Sequence, residues 1–336
     1  MLFIPSALLL LAAAAAPSPA PYTVTRRAVL GGDGGWDYIT VDAAARRVYV
    51  ARSTRVLVLD ADTLKLVGEI PETPGVHGVA IAADVGRGFA SNGRDNSATV
   101  FELGSLKTLA KIPTGTNPDA LLYDAPTHRV FVFNGASGDI TVIDAAKATV
   151  AGTIPVGGKL EAGVSDGAGH VYVNVEDKNE VAAVDARRMA VTARWPLTDC
   201  TEPTGLALDA AHRRLFSVCD GHMAVLDADT GRQVATVPIG AGPDGAVFDA
   251  ERQLAFSSNG RDGTLTVVRE LAPDRFEVVE TVPTQPSART IALDAKTHAL
   301  LLPAAQFGPR PPATASQPRP RPPVLPGSFT VLVVGR

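Results

Sequence analysis

Aromatic residues make up only 5% of this chain, with two tryptophans, three methionines and two cysteines among 336 residues. With so few rings, a core has to be packed mainly from Val, Leu, Ile and Ala, which the 46% hydrophobic content supplies. No C-x-x-C-H haem attachment run and no P-loop glycine–lysine motif occurs. Charge of one sign is scarce as well. The net charge is −4 and basic residues are scattered rather than striped, which excludes a general attraction for nucleic acid or anionic lipid. After the first 20 residues no apolar run is long enough to span a bilayer, so no membrane anchor is expected in the mature chain.

What the chain does have is a repeat. Asn117–Gly158 reads as four short strands, DALLYD, VFVF, ITVID and TVAGTIPV, separated by the turns APTHR, NGASGD and AAKA. Each run is rich in Val, Ile, Phe and Thr and closed by Gly, Asn, Asp or Pro, as consecutive antiparallel strands are. Aligned on the residue that ends the first strand, the copies fall at Asp42, Ala82, Asp124, Asp166, Asp209, Asp249 and Asp294, with spacings of 40, 42, 42, 43, 40 and 45. A four-strand unit of this length is a propeller blade, and seven copies make a ring. The last copy stops after its third strand, FTVLVV, while Tyr22–Gly32, YTVTRRAVLGG, matches the fourth strand ATVAGTIPVGG of the third copy. The fold expected is therefore all-β, a seven-bladed β-propeller whose last blade is closed by the N-terminal strand, leaving no open edge. Residues 21–336 form one domain, because a closed ring exceeds the usual domain length as a single unit.

The repeats VFVFNGASGDITVIDAAKATVAGTIPVGG and VYVNVEDKNEVAAVDARRM resemble those of the YVTN-repeat, YncE-like seven-bladed propellers of bacterial envelopes. The resemblance runs from Tyr22 to Arg336 and rests on packing and turn residues. It implies an exported WD40-like propeller and assigns no reaction, since related propellers include lactonases, lyases and electron-transfer modules. A quinone-binding propeller repeat would need a tryptophan in every copy, and only Trp36 and Trp195 exist.

Residues 1–20, MLFIPSALLLLAAAAAPSPA, read as a signal peptide, although no Lys or Arg precedes the apolar run and Pro follows both Ala16 and Ala20. A periplasmic or secreted monomer is expected. Cys200 and Cys219 fit that compartment: pairing about the turn Ala210–Arg213 brings Cys219 opposite Thr204, near Cys200, where either a disulfide or two buried thiols would satisfy the sequence.

For function, the informative position lies five residues before each aligned residue: Asp37, His77, Asp119, Glu161, Thr204, Asp244 and Arg289. It varies, yet it is polar in every copy, which packing does not require. By analogy with propellers it lies at the top mouth of the channel. Such a ring suits a divalent cation, with Asp119, Glu161 and His77 as candidate ligands, or a small charged molecule; a hydrated channel without a ligand is the alternative. The loops above it offer Trp36, Asn92, Arg94, Asn134, Glu176, His222, Asn259 and Arg261. In SNGRD, which occurs at Ser91–Asp95 and Ser258–Asp262, Asn-Gly reads as a turn with positive φ. Residues 304–327 form a Pro-rich insertion in the last blade, expected to be polyproline II, with Arg310, Arg319 and Arg321 placed to face the acidic ring. His128, His170, His212 and His298 fall in bottom turns of four different copies and are expected to be turn residues without chemistry. The functional expectation is a binding or scaffold module that uses its top face for a small molecule, a metal ion or an envelope protein; the alternative is a metal-assisted lactonase or lyase at the channel mouth.

Overall fold

The computed structural model describes residues 20–336 apart from 273, 315, 316, 319 and 321. All but one residue of the expected signal peptide therefore lies outside the described residues, as do Arg319 and Arg321 of the Pro-rich insertion.

The described chain forms seven four-stranded antiparallel sheets arranged as a ring. After the N-terminal β1 (Thr23–Val29), blade 1 is β2 (Ile39–Asp42), β3 (Arg47–Arg52), β4 (Arg55–Asp60) and β5 (Leu66–Ile70). Blade 2 is β6 (Val76–Ala82), β7 (Arg87–Asn92), β8 (Ser97–Glu102) and β9 (Thr108–Pro113), and blade 3 is β10 (Pro118–Asp124), β11 (Arg129–Asn134), β12 (Asp139–Asp144) and β13 (Thr149–Pro155). Blade 4 is β14 (Leu160–Ser165), β15 (His170–Val175), β16 (Glu180–Asp185) and β17 (Ala190–Pro196). Blade 5 is β18 (Leu206–Asp209), β19 (Arg214–Cys219), β20 (His222–Asp227) and β21 (Gln233–Pro238). Blade 6 is β22 (Pro243–Asp249), β23 (Leu254–Asn259), β24 (Thr264–Ala272) and β25 (Arg275–Pro283). Blade 7 is β26 (Ala292–Asp294), β27 (Ala299–Ala304) and β28 (Thr330–Gly335), with β1 as its outer strand. The closing pairing runs from Thr23 opposite Gly335 to Val29 opposite Thr330.

Second strands such as VFVF and VYVN are buried along almost their whole length because each is covered by a blade on either side. Fourth strands are mostly exposed or half-buried, as an outer edge facing water must be, and β17 alternates strictly. The apolar core divides into one cluster at each of the seven interfaces between blades. The scarce aromatics are concentrated there: Phe131, Phe133, Tyr172, Phe216 and Phe256 are completely or almost completely buried. Tyr22, on the N-terminal segment, packs edge-on against Phe256 in the interface between blades 6 and 7.

In every blade but the second, which has Ala82, the aligned Asp caps its turn as short polar side chains do: Asp124 accepts from Thr127 N at 3.2 Å and Asp209 from Ala211 N at 2.9 Å. Cys200 and Cys219 are bonded, with Cα atoms 5.5 Å apart, and no free cysteine remains. Among the described residues no helix is long and apolar enough to cross a membrane.

Candidate functional site

The upper ends of the first strands do not pair regularly. In β6, β10, β14 and β22 the register shifts between Val76 and Val79, Pro118 and Leu121, Leu160 and Gly163, and Pro243 and Gly245. These bulges hold His77, Asp119, Glu161 and Asp244. A bulged residue leaves the ladder and can be re-aimed, and here four blades turn a polar side chain toward the channel mouth.

The structure brings most of the ring together. Asp37 Oδ2 lies 2.6 Å from His77 Nδ1, which is 3.7 Å from Asp119 Oδ1. Arg289 lies between Asp37, at 3.2 Å, and Asp244, with which it is also paired. Glu161 belongs to an adjoining group: its Oε1 is 2.9 Å from Lys159 Nζ, and Lys159 also pairs with Glu176. The metal trio expected from the sequence is therefore corrected. The donor atoms within 4.8 Å of one another are those of Asp37, His77 and Asp119, without Glu161. Thr204 turns aside, its hydroxyl donating to Pro243 O at 3.0 Å.

Burial decides the protonation of this group. Glu161, 7% exposed, is pushed up to about 9, first by desolvation, then by the Asp119 charge and a proton shared with Glu176, with Lys159 opposing. Burial raises Asp119 to about 6 against the pull of His77. Desolvation lowers His77, but Asp37 and Asp119 outweigh it and the imidazole titrates above its usual range. Tyr38, just below the ring, is held well above the ordinary phenol value by burial and by Asp119, Glu161 and Asp37. With Glu161 neutral, the carboxylates of Asp37, Asp119, Asp244 and Glu176 are nearly balanced by His77, Lys159 and Arg289.

The asparagines expected in the top loops are corrected. Asn92, Asn134 and Asn259 end their second strands, are fully buried, and none has positive φ; the left-handed residues are Asn96, Gly138 and Gly263. Their amides donate to hydroxyls of their own blade, Asn92 to Thr99 Oγ1 at 2.8 Å and Asn259 to Thr266 Oγ1 at 2.9 Å, and Asn134 to Thr141 Oγ1 at 3.0 Å. The preceding serines of the two SNGRD runs reach the next blade: Ser91 donates to Asp119 O and Ser258 to Arg289 O. The repeated motif thus braces the ring and does not line it. Arg94 lies over Gly75, and His222 is exposed at the start of β20.

Above the ring is a cleft of about 540 Å³ bounded by Trp36, Phe307, Val324, Ser287, Arg261 and Arg289. Its aromatic wall is Trp36 stacked on Phe307 at 5.8 Å, with the buried Phe329 tilted against the indole from behind at 5.6 Å. Trp36 is positioned by Arg52, which sequence reading missed because it ends an apolar strand. The fully buried Arg52 guanidinium donates to the carbonyls of Gly31, Gly32, Asp33, Gly34 and Gly35 and stacks on Phe329 at 3.8 Å. The Pro-rich insertion is not polyproline from end to end. Its base is a short antiparallel pair, with Gly308 N donating to Pro323 O and Leu325 N to Gln306 O, both at 2.8 Å, and this presents Phe307 and Val324 to the cleft. Arg310 is exposed. Arg261 pairs with Asp220 at 2.9 Å on the solvent side.

Below the ring the channel narrows to about 160 Å³, lined in part by Gly78, Gly163, Gly205 and Gly245. Two bare glycine patterns lie in this region and neither has the context its chemistry needs. GVSDG (Gly163–Gly167) has the spacing of a nucleophile elbow, but Ser165 ends a strand and donates to Asp124 Oδ1 at 2.5 Å. GAGPDG (Gly240–Gly245) enters β22 and opens no helix.

No family model matches the chain, and no curated protein matches it either. Solved structures do. A chain of Kuenenia stuttgartiensis hydrazine synthase superposes with a TM-score of 0.70 at 15% identity, covering 80% of this chain and 92% of that one. The structure of U3-55K gives 0.76 at 10% identity over 93% of this chain and 99% of that one, and a chain of the mitotic checkpoint complex gives 0.73 at 15% identity over 97% and 98%. At these identities the likeness is one of fold: a seven-bladed β-propeller with WD40-like neighbours.

Proposed function

We propose that this propeller is an exported binding module of the YncE-like kind, and that its ligand is a small organic anion, a carboxylate or phosphate carrying a flat apolar portion, seated in the cleft at the channel mouth. The observation that carries the reading is the cleft itself, with an aromatic stack as one wall and Arg289 and Arg261 beside it. A concave, largely apolar site with a few convergent polar groups is the usual form of a small-molecule site. The anionic end would share the guanidinium of Arg289 with its partners Asp37 and Asp244, while Arg261, held only by an exposed pair of little strength, can turn inward to add a second charge. Export is supported by the apolar first 20 residues and by the Cys200–Cys219 bond. A binding role suits an architecture that also occurs in a chain of the mitotic checkpoint complex.

A test is to purify the protein without reducing agent, denature it, and identify the released small molecules by mass spectrometry beside a Trp36→Ala, Arg289→Gln double variant. Enrichment of one anionic species by the wild type alone is the expected result; identical release from both overturns the proposal.

One observation favours a second reading, metal-assisted lactonase or lyase chemistry: the 4.8 Å grouping of Asp37, His77 and Asp119. The near-neutral charge balance and Arg289 beside Asp37 weigh against it. A divalent ion lost specifically in an Asp119→Asn variant would reverse that order.

A further inference from the structure

The bottom rim holds a second cluster, independent of the channel mouth. In three blades the Asp that ends the first strand meets a basic side chain from the following blade. Asp166 meets Arg213 at 2.9 Å, Asp249 meets His298 at 2.8 Å and Asp294 meets Arg46 at 2.8 Å. Each partner stands four residues after its own blade's aligned Asp. For Asp209 the corresponding residue is Gln253, whose amide turns back to Ala250 O at 2.7 Å. The side chain delivered beside Asp209 is instead another acid, Glu270. It is 8% exposed, and neither of its carboxylate oxygens has a hydrogen-bond partner. A register shift after Glu270 in the pairing of β24 with β25 sets its direction.

His212 completes the group. Its Nδ1 is 2.6 Å from Asp209 Oδ2 and 3.6 Å from Glu270 Oε1, and all three donor atoms lie within 4.8 Å of one another. Where three other interfaces supply a basic side chain and the Asp124 interface supplies the Ser165 hydroxyl, this one supplies two carboxylates and an imidazole. We propose that Asp209, His212 and Glu270 form a divalent-metal site joining blades 5 and 6, with the ion in the place of the missing basic side chain. Two carboxylate oxygens and one imidazole nitrogen, with His212 half exposed so that water can complete the shell, suit zinc or manganese better than calcium, which takes six to eight oxygens. Tetrahedral bonds of about 2.1 Å set donors about 3.4 Å apart, so on binding the widest-spaced donors draw together by up to about 1.4 Å.

The charged groups around the site are accounted for. Arg214 is engaged by Asp227 at 2.9 Å and Asp274 at 2.7 Å, Arg232 also reaches Asp274, and Arg213 is directed to Asp166 and Asp229.

The test is calorimetric titration of the chelator-treated full chain with zinc and with manganese, beside Glu270→Gln, His212→Ala and, for the channel-mouth cluster, Asp119→Asn. One equivalent should bind to the wild type with release of protons and a rise in thermal midpoint. Glu270→Gln, which keeps the shape of the protonated acid and so should fold, should weaken binding by about 100-fold or more, beyond the range for losing a merely supporting partner. Asp119→Asn should leave it unchanged. Absence of binding at millimolar metal would identify the pair as a proton-sharing acid couple and overturn the proposal. So would binding that survives Glu270→Gln, or that disappears only in Asp119→Asn.

Discussion

Glu161→Gln probes the electrostatics of the channel mouth most sharply. Glu161 is raised from 4.5 to about 9, so the folded chain keeps its proton across a range in which the unfolded chain has released it. Because the folded-state value is the raised one, the stability contributed is complete below pH 4.5 and is lost as pH rises toward about 9. Each pH unit within that window costs about 1.4 kcal/mol, so by pH 7 the wild type has lost about 3 kcal/mol at this residue. Water entering the opened pocket reduces the effect, and ~1–3 kcal/mol is the expected range. Glutamine copies the protonated form: it can donate to Glu176 and accept from Lys159, and it does not titrate. Urea unfolding should therefore find the variant about as stable as the wild type at pH 5 and more stable by ~1–3 kcal/mol at pH 7, with the gap widening toward pH 9. A variant destabilised equally at all three pH values would show that Glu161 is ionised and needed as the anionic partner of Lys159, refuting the charge balance drawn for the site.

Three further outcomes follow from the packing. Replacing Arg52 by Met should lower stability by about 2–4 kcal/mol, since several carbonyls lose a charged donor, and should red-shift the Trp36 emission as the GGDGG loop loosens. Serine at both Cys200 and Cys219 opens a loop closed across 19 residues of sequence separation; chain entropy gives a loss of about 3 kcal/mol, readable as a lower urea midpoint against the oxidised wild type. Gly205→Ala sets a methyl 2.7 Å from the Gly245 backbone in the channel neck; backbone cannot swing away as a side chain can, so a loss of about 2–3 kcal/mol is expected by thermal unfolding, whereas Gly104→Ala, with open space around it, should be near neutral.

The fold was legible because each blade repeats a local pattern: alternating strands, a capped turn, and a spacing near 42 residues that marks the unit without any knowledge of contacts. The edge closure was legible for the same reason, since YTVTRRAVLGG carries a fourth-strand pattern at the wrong end of the chain. The ring position could be found because it is polar where packing is indifferent. What could not be read is which side chains pair. The bulges that re-aim His77 and Asp119 depend on how each first strand seats against its neighbour, and Lys159 and Glu176 join Glu161 only through the shape of a loop. Asn92 and Asn259 were misjudged because Asn-Gly has a strong local turn preference, which the ladder and the buried hydroxyls override. Glu270 gave no signal at all. It sits at the end of an ordinary third strand, and only the tertiary fold sets it against Asp209.

The reading of the top cleft can be tested through its own tryptophan. Only Trp36 and Trp195 exist, and Trp195 stacks on Tyr172 at 5.7 Å on an outer strand, so in a Trp195→Phe variant the emission reports the cleft alone. Titrating that variant with a library of aromatic and aliphatic carboxylates and phosphate esters should yield at least one compound that shifts Trp36 emission saturably, with the shift abolished by Arg289→Gln. Trp36 emission that stays unmoved by every compound at millimolar concentration, or a shift that survives Arg289→Gln, would contradict the assignment of the channel mouth as an anion-binding site.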